Sequence, residues 1–464
     1  MGSVIASSAP VYIVDGARTP FLKARGGPGA FSASDLATQA GRALLLRQPV
    51  RPSDLSEVIL GCAAPAPDEV NIGRVVALRM GCGEKVLGFT VMRNCASGLQ
   101  AIDSAMANIQ RGRSDLVLAG GVDALSRTPL IYNDTMVRWF SAMAAKKTTA
   151  AKLGQFLKLP VGAALQPVIA ILKGLTDPVV GLSMGQTAEN LAYRFGITRQ
   201  DMDAYANQSH HRVVTARDTG IFSHEIVPIV DNRGTVYKDD DGVRGDSTEE
   251  GLAKLRPVFD RPYGNITAGN SSQVTDGAAW VLLASEAAVE RFGLSPIARI
   301  VDLHWAGLDP AEMGLGPVHA ATPLLQRHGL GLNDLDQWEI NEAFAAQVLG
   351  CLKAWQDAEY CRTQLGCAPM GTLDESRLNL HGGAIAIGHP VGASGTRIVL
   401  HLARSLREKA GAHREGHNKA QSDAQNEAPN PASGDTPNRH STLRGMAAIC
   451  IGGGLGGAAL VEAV

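Results

Sequence analysis

The sequence predicts an α/β protein with layered sheets, and two alternating patterns predict it. Short apolar runs that end at glycine are typical of buried strands. They lie at residues 11–14, 58–60, 115–119 and 446–451. Between them are stretches with apolar residues at every third or fourth position, which are typical of amphipathic helices. The clearest begins at Ser97 and continues through Ile109, and others begin near Ser34 and at Asp201. We therefore expect sheets that are covered by helices.

The composition excludes several classes of protein. The chain has 464 residues, with 43 Lys and Arg against 45 Asp and Glu, so its formal net charge is −2. A protein that coats nucleic acid needs a strongly basic face, so nucleic acid is not an expected partner. Seven cysteines, an odd number, indicate a reducing compartment rather than a disulfide scaffold. No signal peptide and no apolar run of about 18 residues is present, so we expect a cytoplasmic protein.

Two segments interrupt the α/β pattern. Residues 136–176 contain six basic residues and no acidic ones, and the end of this segment is apolar. The segment suits an element that contacts a membrane surface or a partner protein, and a solvated surface excursion is the alternative. Residues 407–442 contain no Ile, Leu, Val, Met, Phe, Trp or Tyr, so we expect a disordered insert there.

Cys95, in the run RNCASGL, is a candidate nucleophile. Small residues follow it, and the amphipathic helix begins there. A thiol at a helix N-terminus is stabilised as thiolate by the helix dipole, and the same N–H groups can bind an oxyanion. A buried structural cysteine is the alternative.

Three further runs carry candidates for acid/base work. His389, in GGAIAIGHPVGASG, lies on a turn between glycine and proline, and a nucleophilic cysteine needs such a base from a distant part of the chain. Cys450, in CIGGGLGGA, follows a strand where exposed N–H groups suit acid/base work beside the first thiol. Asn341, in NEAFAAQ, follows another strand and either caps a helix or holds a catalytic water.

These four runs, in this order, resemble the thiolase superfamily. The resemblance extends from about Val11 to Glu462 without the polar insert. Within the family, the long loop and residues 243–244, 254–257 and 333–335 are similar to the β-subunits of trifunctional fatty-acid oxidation complexes. The resemblance implies a thiolase-like fold with two similar βαβαβαββ halves in five α-β-α-β-α layers and an inserted loop domain.

The same resemblance implies domain boundaries. The N-terminal half would comprise residues 1–124 and 245–290, and the loop domain residues 125–244, including the basic segment. The C-terminal half would comprise residues 291–464, including the insert.

The resemblance also implies roles for single residues. Cys95 would be the acylated nucleophile, His389 its base, and Cys450 the acid that moves a proton to and from the acetyl carbon. Asn341 would hold a water that forms one oxyanion site together with His389. The backbone N–H groups of Cys95 and Gly452 would form the other oxyanion site.

Contacts to coenzyme A are implied for four residues. Ala268 and Ser272, in the run AGNSS, would lie nearest the pantetheine, Met184 in SMGQTAEN would line the acyl tunnel, and Phe344 would add a further contact. Coenzyme A would be a substrate, and neither a metal nor a permanently bound cofactor is implied.

The implied function is a thiolase of fatty-acid β-oxidation that works through acyl-Cys95 by ping-pong kinetics. Two alternatives stay open: a biosynthetic acetyltransferase that forms acetoacetyl-CoA, and a thiolase-like protein that binds acyl-CoA or lipid without turnover. The implied partners are acyl-CoA substrates, further copies in a homodimer or tetramer, and an α-subunit with hydratase and dehydrogenase activity.

Two positions depart from the family pattern. His381 stands where the family often has Asn. Ser183 stands where many biosynthetic members have a His that touches coenzyme A, which argues against a short-chain acetoacetyl specialist.

Overall fold

A computed structural model describes residues 9–425 and 442–464. The strands in these ranges are β1 (Val11–Arg18), β2 (Leu22–Lys23), β3 (Glu57–Gly61), β4 (Leu87–Val91), β5 (Leu116–Ala124), β6 (Leu130–Ile131), β7 (Val168–Ile169), β8 (Ile229–Val230), β9 (Val236–Tyr237), β10 (Thr275–Ser285), β11 (Ala298–Gly307), β12 (Gln337–Ile340), β13 (Arg444–Ile451) and β14 (Leu455–Ala463). The helices are α1 (Ala33–Leu46), α2 (Ile72–Arg79), α3 (Ser97–Gln110), α4 (Asp134–Ala144), α5 (Thr149–Phe156), α6 (Val161–Ala164), α7 (Ala170–Gly174), α8 (Met184–Arg194), α9 (Arg199–Asp218), α10 (Glu249–Ala253), α11 (Glu286–Phe292), α12 (Gly316–His328), α13 (Ala345–Gln356), α14 (Ala358–Tyr360), α15 (Ala384–Ile387) and α16 (Val391–Gln425).

The main sheet consists of two half-sheets. Its strand order is β12-β13-β14-β11-β1-β10-β5-β3-β4, with the short β2 beside β10. The pairs β3–β4, β3–β5 and β12–β13 are parallel, and the other pairs in this sheet are antiparallel. The halves meet at the short antiparallel pairing of β1 with β11, which runs from Val11 opposite Ile300 to Ile13 opposite Ala298.

Helices cover both half-sheets on both faces. The helices α3 and α16 lie between the half-sheets and share one apolar cluster with both of them. The helices α1 and α2 cover the outer face of the first half-sheet, and α12 and α13 cover that of the second. In β5, Val117 faces the central cluster and Leu118 the outer one, since successive side chains of a strand point to opposite faces. Strands that are buried on both faces have continuous apolar sequences, as these do. The two half-sheets and the three layers of helices confirm the predicted α/β class and the five layers.

The two halves differ at one strand. In the first half β3 pairs in parallel with β4, whereas in the second half β12 meets only a single parallel bridge, between Trp338 and Leu378. The chain before this bridge contains Gly366, Pro369 and Gly371, and such residues weaken a strand. An irregular segment therefore replaces the strand that the resemblance implied.

The last long helix extends further than the sequence predicted. Although a disordered insert is expected from residue 407, α16 continues to Gln425. The residues that extend it include Ala, Glu, Lys, Arg and Gln, which are good helix formers, and the buried first part of α16 removes the cost of nucleation. Residues 426–441 of the predicted insert lie outside the described residues. Among the described helices, none combines the length and the apolar character needed to cross a lipid bilayer.

Candidate active site

Cys95 lies in a tight turn between β4 and α3. Ser97 fixes this turn, because its hydroxyl accepts a hydrogen bond from Arg93 N at 2.9 Å and donates one to Asn94 O at 2.8 Å. Asn94 has a φ of 45°, a left-handed conformation that Asn adopts more easily than most residues. Cys95 itself is half-buried, whereas the residues that follow it are buried.

The N-terminus of α3 packs directly on the N-terminus of α16. A Cβ atom at Gly98 would lie 2.8 Å from Gly392 O, and one at Gly395 would lie 2.8 Å from Leu99 N. Glycine is therefore required at these positions for the two helices to approach this closely. The approach brings the Cys95 turn and the His389 turn, which are far apart in the sequence, to one place between the half-sheets.

The turn between β13 and β14 closes the site from the second half of the chain. Asn94 Nδ2 donates a hydrogen bond of 2.8 Å to Gly452 O, and the Gly452 N–H faces the Cys95 sulfur. Cys450, the penultimate residue of β13, stands two residues before Gly452 and is buried. The turn needs glycine at positions 453 and 454, where φ is 95° and 75°.

Electrostatics keep both thiols protonated at rest. Burial raises the pKa of the Cys95 thiol, and the N–H groups of Gly452 and of Cys95 itself oppose this effect without reversing it. The expected stabilisation of a resting thiolate is therefore not found, because the loss of water around the sulfur outweighs the nearby donors. Burial also raises the pKa of Cys450 well above its ordinary value, and the neighbouring Cys95 adds to the shift. Cys95 consequently requires a base.

His389 has the properties of such a base. Burial lowers its pKa to about 4, so the imidazole is neutral near pH 7. Its Nδ1 lies 2.6 Å from Ser394 Oγ, and Ser394 Oγ lies 3.1 Å from Pro390 O. Because a carbonyl can only accept, the Ser394 hydroxyl donates to Pro390 and accepts from Nδ1–H. The lone pair is then on Nε2, a buried atom without a hydrogen-bond partner in the described structure.

Asn341 is buried with its side-chain amide unpaired. Its backbone N–H donates to Ala448 O at 2.9 Å, which places it beside β13, near Cys450. Among the described residues, ten buried side-chain N and O atoms lack a partner, and three of them belong to Asn341 and His389. An unpaired buried polar atom costs about 1–3 kcal/mol, so the unpaired atoms of Asn341 and of His389 each indicate a place for a polar ligand or water.

Glu342 anchors the loop that contains Asn341. Its buried carboxylate accepts hydrogen bonds from Ser209 Oγ at 2.7 Å, Tyr205 Oη at 3.1 Å and Asn379 Nδ2 at 3.1 Å. The Ile385 N–H donates to the same group at 3.2 Å. This links the Asn341 loop to the segment that leads to His389, and it fixes the relative position of the two turns.

The residues implied for coenzyme A form a second part of the site. Ser272 N donates to Ala343 O at 2.9 Å, and Ser271 bridges to Phe344, so the AGNSS run lies against the NEAF run. In this pair Ala268 is exposed, Ser272 is half-buried and Phe344 is buried.

Met184 lies on the other side of the catalytic turn. A Cβ atom at Gly452 would be 3.1 Å from Met184 Sδ. Phe259 packs on Gly185, next to Met184, and its ring centroid is 5.9 Å from that of Phe344. Met184, Phe259 and Phe344 therefore form an apolar patch beside Gly452.

The two departures from the family pattern have structural roles. Ser183 caps α8: its hydroxyl accepts from Gln186 N, and Gln186 Oε1 accepts from Ser183 N at 2.9 Å. His381 Nδ1 lies 2.9 Å from His401 Nε2, in a buried polar network that includes Glu225.

Sequence reasoning missed three residues of the site. Asn94 and Ser394 stand within the runs that were singled out, but their partners depend on a backbone angle and a ring orientation. Asp123, at the end of β5, accepts hydrogen bonds from Ala64 N at 2.8 Å and from Gly392 N at 2.5 Å, and burial raises its pKa to about 6. A buried acid at a strand end next to Gly is a weak signal on its own. No group of three or more His, Cys, Asp or Glu side chains in residues 9–425 and 442–464 is arranged to bind a metal.

Comparisons with known proteins relate this chain to one family. The family model "Thiolase, N-terminal domain" matches residues 11–287, and "Thiolase, C-terminal domain" matches residues 294–416. The chain is 40% identical to the beta-ketoadipyl-CoA thiolase of Pseudomonas aeruginosa over 88% of this chain and 95% of that one.

Solved structures are similar over nearly the whole chain. The human mitochondrial 3-ketoacyl-CoA thiolase in complex with CoA has a TM-score of 0.78 and 33% identity, with 100% of both chains covered. The Bacillus anthracis acetyl-CoA acetyltransferase also has a TM-score of 0.78, with 34% identity over 99% of this chain and 100% of that one.

Proposed function

The chain belongs to the thiolase family of acyltransferases, and from this premise we propose that it cleaves 3-oxoacyl-CoA with coenzyme A in fatty-acid β-oxidation. The products are acetyl-CoA and a shortened acyl-CoA, formed by ping-pong kinetics through acyl-Cys95. One observation carries the proposal. His389 is buried and neutral, and its Nε2 has no hydrogen-bond partner among the described residues. It lies just before α16, whose N-terminus packs on the N-terminus of α3 beside Cys95, and the Gly452 N–H faces the Cys95 thiol.

The first half-reaction transfers the acyl group to the protein. His389 Nε2 takes the proton of the Cys95 thiol, and the thiolate attacks the 3-oxo carbon of the substrate. When the tetrahedral adduct collapses, the bond between C2 and C3 breaks and its electron pair remains on C2. The protonated Cys450 thiol gives its proton to C2, and acetyl-CoA leaves.

The second half-reaction transfers the acyl group to coenzyme A. The Cys450 thiolate takes the proton of the incoming coenzyme A thiol, whose sulfur attacks the acyl-Cys95 carbonyl. The bond between the carbonyl carbon and Cys95 breaks, and the released thiolate recovers its proton from His389. Both thiols return to the protonated state that burial favours.

Two oxygens gain negative charge at different steps, so two oxyanion sites are needed. The backbone N–H groups of Cys95 and Gly452 receive the oxygen of the tetrahedral adduct. The protonated His389, together with a water held by the unpaired Asn341 amide, receives the oxygen of the enolate that leaves as acetyl-CoA.

The apolar patch of Met184, Phe259 and Phe344 supports a fatty-acyl substrate. An acyl chain that leaves Cys95 past Gly452 meets these side chains, which offer no charged group. A substrate with a terminal carboxylate would need a cation at this place, because a buried unpaired charge is costly. We therefore propose that the acyl chain of the substrate is uncharged. Coenzyme A would contact Ala268, Ser272 and Phe344.

The same residues would also condense two acyl-CoA molecules, so the biosynthetic direction is the second candidate within the family. The structural similarity to an acetyl-CoA acetyltransferase favours keeping it. Ser183 argues against it as the main activity, because many biosynthetic members of the family have at this position a His that touches coenzyme A, whereas the Ser183 hydroxyl caps α8. A protein that only binds acyl-CoA would have no need of a buried, neutral His389 whose Nε2 is unpaired.

Cys95→Ala tests the proposal, with Cys367→Ala as the matched control at another accessible cysteine. We expect the Cys95 variant to lose 3-oxoacyl-CoA thiolysis and the control to retain it. In the wild type, incubation with substrate without coenzyme A should leave the acyl group on the Cys95 peptide in mass spectrometry. Normal thiolysis by the Cys95 variant would refute the mechanism.

Kinetics with a chain-length series of 3-oxoacyl-CoA and with 3-oxoadipyl-CoA then test the substrate class. A higher kcat/KM for 3-oxoadipyl-CoA would replace the β-oxidation proposal. A Cys95 thiol that iodoacetamide fails to label would favour a binding protein without turnover.

For assembly and location, the proposal follows the resemblance. It comprises a homodimer or tetramer, an α-subunit with hydratase and dehydrogenase activity as a further partner, and the cytoplasm as the place of action. Sedimentation velocity of the purified protein measures its oligomeric state. The same measurement after copurification tests for an α-subunit.

A further inference from the structure

Cys361 and Cys367 lie beside each other in the surface loop that follows α14, and both are free thiols. The chain forms one turn of π-helix over Cys361–Leu365 and reverses at Gly366, whose φ is 64°. The backbone N–H groups of Gly366 and Cys367 both donate to Cys361 O, the second at 3.1 Å. This reversal brings the Cys367 thiol into contact with the Cys361 thiol.

The backbone of this loop suits a disulfide. A disulfide needs Cα atoms that are about 4.4–6.8 Å apart. Two residues joined by backbone hydrogen bonds, as in a β-ladder, have Cα atoms about 5.5 Å apart, so the bond from Cys367 N to Cys361 O keeps the pair within that range. Gly366 adopts its positive φ without strain. The two sulfurs can therefore be joined with little movement of the backbone.

The two thiols differ in their access to solvent. Cys361 is buried, and its thiol donates to Ala354 O and to Trp355 O at 3.4 Å each. Cys367 is partly exposed, and the residues on either side of it are exposed. A small oxidant in solution therefore reaches Cys367 first.

The protonation of Cys367 sets the rate of such a reaction. Partial burial and the neighbouring Cys361 raise the pKa of the Cys367 thiol. Because the thiolate is the species that attacks a disulfide, the reaction should be slow near pH 7 and should become faster as the pH rises.

The pair lies away from the proposed site of thiolysis. Asn341 precedes the start of α13, whereas Cys361 follows its other end. The helix has 12 residues, which corresponds to a length of about 18 Å. Oxidation of the pair therefore need not touch the reacting groups.

We propose that Cys361 and Cys367 form a reversible disulfide, with a small disulfide such as glutathione disulfide as the oxidant. The Cys367 thiolate attacks one sulfur of glutathione disulfide, whose S–S bond breaks, and the first glutathione leaves and takes a proton. Cys361 then loses its proton, and its sulfur attacks the Cys367 sulfur, so the second glutathione leaves as a thiol. The protein gives up two thiol hydrogens with their electrons, and the oxidant becomes two thiols.

This site fits a reducing compartment, where disulfides are mostly transient and redox-sensing. The second step takes place within one short loop, so the mixed disulfide with glutathione is short-lived. The pair stays reduced at rest and becomes oxidised when the disulfide oxidant accumulates.

Oxidation would change the end of α13 in two ways. The Cys361 sulfur would lose the hydrogen that it donates to Ala354 O and Trp355 O, but Trp355 O would keep its bond of 2.9 Å from Met370 N. The new covalent bond would restrict the unfolded chain, and this effect outweighs the loss of weak S–H hydrogen bonds. We therefore expect the oxidised protein to melt a few degrees higher than the reduced protein.

Peptide mapping of the full chain tests the proposal. Arg362 lies between the two cysteines, so trypsin places them in the peptides 354–362 and 363–377, each with a single cysteine. After treatment with glutathione disulfide and alkylation of the remaining thiols, these two peptides should be joined, and dithiothreitol should separate them. Absence of the joined peptides at both neutral and mildly alkaline pH would overturn the proposal.

Single variants test the order of the two steps. Cys361→Ser should accumulate glutathione on Cys367, because no second thiol displaces it. Cys367→Ser should keep Cys361 as a free thiol, because its sulfur is buried. Cys82→Ala, at a buried cysteine elsewhere, is the control and should form the joined peptides as the wild type does. Glutathione on Cys361 but not on Cys367 in these variants would overturn the proposed order.

The double variant C361S and C367S tests whether the pair is separate from thiolysis. Glutathione disulfide also has access to the half-buried Cys95, so the double variant should lose activity on treatment to the same extent as the wild type. Before treatment the two proteins should be equally active, and the rise in melting temperature should occur in the wild type alone. A double variant that resists the loss of activity would overturn the separation, because the pair would then control thiolysis.

Discussion

The Nδ1 atom of His389 lies 2.6 Å from the Oγ atom of Ser394, five residues further along the chain. The Ser394 hydroxyl donates to Pro390 O, so it can only accept from the imidazole. One hydroxyl on the first turn of α16 thereby decides which nitrogen of the proposed base carries the proton. In this arrangement Ser394 is a positioning residue that never touches the substrate.

Ser394→Ala should therefore lower kcat for thiolysis by about tenfold or more, as expected when a buried hydrogen bond of about 1–3 kcal/mol is lost. Without the acceptor, the imidazole populates the tautomer whose Nε2 carries the proton and cannot act as a base. The rate of Cys95 alkylation by iodoacetamide, followed against pH, should fall in parallel.

Ser394→Thr keeps the hydroxyl and should restore much of the alkylation rate. A purely structural role would lower the melting temperature of Ser394→Ala while leaving the pH profile of alkylation unchanged, and that result would contradict the prediction.

Asn94 links the two halves of the site, and its backbone and side chain can be tested separately. Its amide bonds to Gly452 O at 2.8 Å, and its φ of 45° disfavours residues with an ordinary β-carbon. Asn94→Ala and Asn94→Gly both remove the amide, so both should lower kcat/KM. Only Ala also adds backbone strain, of about 1 kcal/mol, so the Ala variant should melt at a lower temperature than the Gly variant.

Equal melting temperatures for these two variants would contradict the role assigned to the backbone. A kcat/KM unchanged in both would contradict the role assigned to the amide.

Substitution of Asn341 should lower activity without lowering stability. Its buried amide has two unpaired atoms, so Asn341→Ala removes groups whose burial is costly. We expect a melting temperature equal to or above that of the wild type, together with a fall in kcat and little change in KM. Asn333→Ala, at an exposed Asn, serves as the control for activity. A destabilised Asn341 variant with normal kcat would assign the residue to the fold instead.

The sequence predicted the class of fold for a simple physical reason. Strands buried on both faces, such as β5, must be apolar throughout, and helices packed on one side must repeat apolar residues every three or four positions. Both patterns are local, so they can be read without a structure. The irregular segment beside β12 has a local cause too, since its Gly and Pro residues weaken a strand, but the symmetry of two similar halves that the resemblance implies does not include this effect.

The candidate site could be predicted only in part. The runs around Cys95, His389, Asn341 and Cys450 were found because small residues surround the reactive ones. The bond from Asn94 to Gly452 joins residues 358 positions apart, and no periodic pattern encodes it. The protonation of Cys95 depends on how much water the folded protein excludes from the sulfur, which the sequence alone does not give.

His381 illustrates how a departure from a family pattern acquires a physical role. Its Nδ1 lies 2.9 Å from His401 Nε2, and the other ring nitrogen of His401 bonds to the Glu225 carboxylate. Burial lowers the pKa of His381 to about 4, so it is neutral near pH 7 and its Nδ1 accepts a hydrogen bond from the Nε2–H group of His401. Burial also opposes the charge on His401, but Glu225 and Glu339 outweigh it and raise the pKa of His401 above 6.5.

The hydrogen bond from His401 to His381 can be removed by substitution. His381→Leu leaves a buried N–H of His401 without a partner, so it should destabilise the fold by about 1–3 kcal/mol, a shift of several degrees in melting temperature. His381→Asn provides an acceptor again and should recover most of this loss.

The effect should also depend on pH, with a sign that the shift of His401 determines. A group whose pKa is higher in the folded state stabilises the fold below its unfolded pKa, here 6.5, and that contribution is lost as the pH rises through the folded value. The difference in melting temperature between the wild type and His381→Leu should therefore be largest between about pH 4, below which His381 is itself protonated, and pH 6.5, and it should shrink as the pH rises further. Arg397 faces the same cluster and lowers the pKa of His401, so Arg397 must be kept in all variants. A difference that stays constant with pH would mean that His381 acts by packing alone.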